Sequence, residues 1–112
     1  VGFDGGYDLY YKGFKIDVKT MGRTVAVKSN FVNNFVSLQL KFDCDVYIFC
    51  SLNKKNNILT ICGWVTKEEL LDRSKYYEKG TVRVRSNNSQ LILQEAIYEI
   101  ENHKLNKIED LI

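Results

Sequence analysis

Two carboxylates and a lysine, Asp8, Asp17 and Lys19, lie on either side of Lys12-Gly13, the one turn signal between two short runs rich in aromatic and β-branched residues. A chain reversal there pairs Tyr11 with Phe14, Tyr10 with Lys15, Leu9 with Ile16 and Asp8 with Asp17. Alternation along the strands then places Leu9, Tyr11, Phe14, Ile16 and Val18 on one face, and Asp8, Tyr10, Lys15, Asp17 and Lys19 on the other. Carboxylates opposed with Cβ atoms roughly 5 Å apart repel unless a cation lies between them or one takes up a proton. A hard divalent ion such as Mg²⁺ or Mn²⁺ suits the gap, because one or two carboxylates hold it while water and phosphate oxygens complete its shell. Lys19 beside that ion can hold an attacking water or offset charge growing on a phosphate. The chemistry indicated is phosphodiester cleavage. A charged but merely solvated strand face is the competing reading, and a register slip of one residue would turn Asp8 to the opposite face.

With Gly5-Gly6-Tyr7-Asp8 followed by Ile16-Asp17-Val18-Lys19, the chain resembles the PD-(D/E)XK nuclease superfamily of small phage and prokaryotic type. Its pattern is an acid on one strand and acid-x-Lys on the hairpin partner. Asp8 matches the first acid, Asp17 the second and Lys19 the lysine, while the main-chain carbonyl of Val18 takes a place that often supplies a further metal ligand. More loosely, Asp43–Phe49 looks like the buried strand after the hairpin, and Ile61–Leu70, with Gly63-Trp64, like a strand-to-helix step.

The resemblance implies an α/β, restriction-endonuclease-like core, a central mixed sheet flanked by helices. It implies a Mg²⁺- or Mn²⁺-dependent hydrolase acting on DNA, in the cytoplasm of a phage or prokaryotic host. Members usually carry a helix before the first strand, often with a metal-binding glutamate. This sequence begins at Val1 without an initiating Met, so that N-terminal helix is expected to be missing, with a preceding segment or a second chain completing the core. Many such domains cut duplexes as dimers, which leaves a homodimer open. The alternatives are a catalytically inactive nuclease-like scaffold that binds nucleic acid or protein, and an unrelated small α/β structural protein.

The 112 residues, 45% of them hydrophobic, suffice for one domain over 1–112 with a modest core. No run approaches the ~20 apolar residues of a membrane span. Cys44, Cys50 and Cys62 are odd in number and lack close ligand spacing, so reduced thiols and an intracellular location are expected. A net charge of +2 does not identify a nucleic-acid partner. Local groups are more suggestive: Tyr10 and Lys15 on the polar hairpin face, and Arg83 with Arg85 on one face of a short strand. Each could touch a phosphate backbone, and each could equally be solvated surface or edge protection.

The expected elements are strands over 6–11 and 14–20, a break at Met21-Gly22, and a third strand over Thr24–Val27. Residues 30–42 fit helix and strand periods alike, and the resemblance favours a helix. Val46–Cys50 reads as a buried strand, and Ile58–Val65 as its antiparallel neighbour beyond an Asn/Lys turn. Thr66-Lys67-Glu68-Glu69 is a capping box that starts a helix ending near Ser74. Thr81–Arg85 reads as an edge strand. Ser89 is the expected N-cap of a last helix reaching Asn102, with Leu93, Ala96, Ile97 and Ile100 as its buried stripe. Gln94-x-x-x-Tyr98 has the form of a third motif of one nuclease branch, but there it follows closely on the Asp-x-Lys strand. His103 stands alone. There is no phosphate-binding Gly-x-x-x-x-Gly-Lys loop and no Gly-x-Ser-x-Gly turn.

Overall fold

A computed structural model describes residues 7–85 and 88–112; Gly5 and Gly6 lie outside them. The first hairpin joins β1 (Leu9–Tyr11) to β2 (Phe14–Arg23) with the expected register: Leu9 faces Ile16, Tyr10 faces Lys15 and Tyr11 faces Phe14. Lys12 and Gly13 have φ of 49° and 85°. Positive φ at both central residues gives a two-residue turn the twist the strands need, and glycine supplies the second without strain.

β2 does not break at Met21-Gly22 but continues to Arg23. It pairs in parallel with β4 (Val46–Asn53) from Ile16↔Val46 to Arg23↔Asn53. That ladder carries the chain through the glycine, and Thr24–Val27 form no strand. A parallel pair needs a crossover. Here the crossover holds β3 (Val32–Val36) followed by a 3₁₀ turn over Ser37–Lys41. The two periods superposed in 30–42 thus belong to two consecutive elements, and the expected helix is only this short turn. β5 (Ile58–Thr66) returns antiparallel to β4, completing a mixed sheet in the order β1-β2-β4-β5.

The capping box forms as read. Thr66 accepts the Glu69 amide, Glu69 returns to the Thr66 amide, and α1 runs Lys67–Arg73. It is the one α-helix among the described residues. β6 (Lys75–Tyr77), β7 (Val82–Val84), β8 (Gln90–Ile92) and β9 (Ile97–Glu101) follow. β3, β9 and β6 form a second sheet with β9 in the middle, and β7 pairs with β8.

The helix expected over Ser89–Asn102 is therefore a strand, a loop and another strand. Ile97 and Ile100 are both buried although they point to opposite faces of β9. A central strand covered on both sides carries apolar residues at odd spacing, which imitates a helical stripe. Gln94 and Tyr98 accordingly share no helix, and His103 lies in a 3₁₀ turn, 3.3 Å from Glu101.

Phe35, Tyr47, Phe49, Val65, Leu70 and Ile100, drawn from both sheets and α1, meet in one core. The protein is a mixed α/β structure dominated by strands, in which a second sheet and one helix stand where flanking helices were expected. No described helix is long and apolar enough to cross a membrane.

Candidate active site on the first hairpin

Register decides where the polar residues of β2 go. Asp17 is the partner of Tyr47, and Lys19 of Phe49. The hairpin face read as polar is therefore continuous with the core face of the mixed sheet. The Asp17 and Lys19 side chains keep only 13% and 23% of their exposure, so this is not a solvated strand face. Leu9 and Phe14, on the other face, remain exposed.

Asp8 joins them by a device the sequence did not announce. The ladder ends at Leu9↔Ile16, and the Asp8 amide donates to Ile16 O at 2.8 Å although Ile16 already faces Leu9. Two residues of one strand address one of the other, the arrangement of a β-bulge, which re-aims a side chain. Asp8 is thus not the ladder partner of Asp17. Its Oδ2 accepts the Val18 amide at 2.8 Å, and its carboxyl is near enough to Asp17 to push the Asp17 pKa up.

Burial pushes the Asp17 carboxyl above the usual range; Lys19 works against that rise and Asp8 adds to it. Lys19 Nζ lies 2.9 Å from Asp17 Oδ2. The same ammonium donates to Gln39 Oε1 and stands 5.6 Å from the centre of the Phe35 ring. Lys19 already gives Asp17 one positive partner, and a divalent cation between the two carboxyls would relieve their repulsion further.

The donors fit a hard divalent ion. Asp8 and Asp17 offer carboxylate oxygens. In a strand a residue's N–H and C=O leave by the same edge, so the Val18 carbonyl leaves on the side where its amide meets Asp8. Among the described residues no cluster of three or more Asp, Glu, His or Cys forms, so water and substrate would complete the shell, as is usual for Mg²⁺.

The remaining candidates do not gather here. Lys15 is paired with Asp43, which raises its pKa and lowers that of Asp43, and the Lys15 amide donates to Asp45 Oδ2 at 2.9 Å. Tyr10 is 65% exposed. Arg83 donates to both oxygens of Glu99 at 2.9 Å and stacks 3.9 Å from the Tyr77 ring centre. With Arg85 it lines a cleft of about 450 Å³ that also takes in Met21, Arg23 and Asn34. Met21 and Arg23 continue the alternation of Asp17 and Lys19 along β2. Cys44, Cys50 and Cys62 carry free thiols, and burial raises the pKa of each.

Sequence reading missed Gln39 and Arg23. Gln39 has no spacing signal relative to Asp17, because it arrives through the crossover; Arg23 keeps the alternation of Asp17 and Lys19, but the expected break at Met21-Gly22 concealed it. The chain matches no family model, no curated protein and no solved structure.

Proposed function

We propose that this chain is a Mg²⁺- or Mn²⁺-dependent nuclease domain with a restriction-endonuclease-like core, hydrolysing phosphodiester bonds in DNA. The observation that carries the reading is the approach of an exposed Asp8 to the largely buried Asp17, with Lys19 ion-paired to Asp17 at 2.9 Å. Asp8, Asp17 and the Val18 carbonyl would hold the ion. When bound, it supplies positive charge against a phosphate oxygen and the departing oxygen. Lys19, with its ammonium beside the carboxylates, orients a water for in-line attack and offsets charge on the phosphorane-like transition state. Phe35 and Tyr47, with ring centres 4.6 Å apart, wall the site on its core side.

Titration of Mn²⁺ into the protein and into Asp17→Asn, with plasmid cleavage on the same samples, tests the reading. Binding and cleavage present in the first and lost in the second is the expected result. Binding without cleavage would favour an inactive scaffold, and the absence of both would end the metal reading altogether.

A further inference from the structure

We propose that Gln39 is the positioning residue for Lys19, holding its ammonium in place when Asp17 turns to a metal ion; this rests on the nuclease reading above. A lysine ammonium has three donors and no acceptor. Two of the three are committed, one to Asp17 Oδ2 and one to Gln39 Oε1. No other described residue takes the third, which leaves one N–H for a water in a direction set by the first two. Since lysine only donates, Gln39 must present its carbonyl oxygen, so its amide orientation is fixed by chemistry.

The hold on Lys19 comes from a separate element, and that element is itself tied down. The 3₁₀ turn over Ser37–Lys41 begins where the Ser37 amide donates to Ala96 O at 2.9 Å, and it closes where Phe42 donates to Gln39 O at 3.2 Å. Lys67 Nζ, at the start of α1, donates to Leu40 O at 2.9 Å and to Phe42 O at 3.1 Å. The turn that carries Gln39 is thus tied to the residue just before β9 on one side and to the first residue of α1 on the other. Phe35, just before the turn, places its ring beneath the same ammonium. A free lysine has a flexible four-carbon stem. Once the Asp17 carboxylate is shared with a cation, its grip on Lys19 weakens, and Gln39 with Phe35 retains it. A neutral amide does this without a third negative charge beside Asp8 and Asp17.

Gln39→Met keeps length and volume but removes the acceptor, whereas Gln39→Glu keeps the acceptor. In cleavage assays Gln39→Met is expected to lower kcat about 10–100-fold, with KM and the Mn²⁺ Kd within twofold of the parent. A parental kcat would overturn the proposal and leave the nuclease reading standing. A second readout needs neither metal nor turnover: the side-chain ammonium NMR signal of Lys19, assigned by its loss in Lys19→Ala. The signal is expected to persist in Asp17→Ala and in Asp17→Ala/Gln39→Glu, and to vanish in Asp17→Ala/Gln39→Met. Its persistence in that last variant, or its loss in Asp17→Ala alone, would overturn the role of Gln39. A wild-type chain that neither binds Mn²⁺ nor cleaves, yet shows the expected signals, would remove the nuclease reading alone.

Discussion

The carboxylate of Asp8 is held by the main chain of the strand it faces, accepting the Val18 amide at 2.8 Å. One residue therefore fixes the hairpin edge and presents an oxygen to Asp17, and substitution can separate the two duties. Asp8→Ala leaves the Val18 N–H without its acceptor and is expected to cost about 1 kcal/mol in urea melts. Asp8→Asn keeps an oxygen for that amide and is expected to melt like the parent. Both should lose Mn²⁺ binding, and cleavage should fall at least 10²-fold. Full cleavage by Asp8→Asn would mean that the charge of Asp8 is not used.

Asp17 gives a pH-dependent prediction of definite sign. Its carboxyl is raised in the fold, first by burial, so the folded chain binds more protons than the unfolded one near that pKa. Stability then falls as pH rises from the unfolded value of about 3.9 through the folded one, and ionised Asp17 costs stability above both. Without metal at pH 7, Asp17→Asn is expected to raise Tm by a degree to a few degrees. The gain should disappear near pH 3, where the parent carboxyl is neutral in both states. Calorimetry at the two pH values checks it, and an equal gain at both would point to a cause other than charge.

The catalytic candidates were legible because a hairpin is a local structure. Lys12-Gly13 and the alternation around it sufficed to pair Leu9 with Ile16 and to put Asp17 with Lys19. The capping box at Thr66 and Glu69 was legible for the same reason, with both partners inside one helical turn. What escaped depended on distant pairing. β2 runs through Gly22 because β4 receives it, and Ile97–Glu101 is a strand because β3 and β6 lie on its two edges. Gln39 reaches Lys19 only after the crossover folds, and no spacing along the chain encodes that meeting.

Glu69 ties the start of α1 to the C-terminal segment and supplies a pH prediction of the opposite sign. Its carboxylate accepts from the Thr66 amide at 2.9 Å, from Asn106 at 2.8 Å and from Arg73 at 2.7 Å. Burial pushes its pKa up, but these partners together outweigh burial and hold it below the ordinary glutamate value. A depressed carboxyl stabilises the fold above its unfolded pKa of about 4.3, and the contribution is lost as pH falls through the folded value. Glu69→Ala, which also removes half the capping box, is expected to cost about 1 kcal/mol at pH 7. The gap from the parent should narrow as the solution is taken below pH 4. Chemical denaturation across that range checks it, and a constant gap would exclude an ionic contribution.

Arg83 lies in β7 and Arg85 just beyond its end, and they differ in what their charges already do. Arg83 is spent on Glu99, whose side chain retains 13% of its exposure, and on the Tyr77 ring. Its removal strands that carboxylate, so Arg83→Ala is expected to destabilise the fold by roughly 1–2 kcal/mol. Arg85 is exposed and lines the same cleft as Arg23, beyond the end of the β2 face that bears Asp17 and Lys19. A DNA backbone held there would release counterions on contact with Arg85. Arg85→Ala should therefore leave Tm unchanged while lowering the slope of log affinity against log salt by about one. Fluorescence anisotropy with a labelled duplex, in Ca²⁺ in place of Mg²⁺ to allow binding without cleavage, gives both slopes. If Arg85→Ala keeps the parental slope, Arg85 contacts no phosphate.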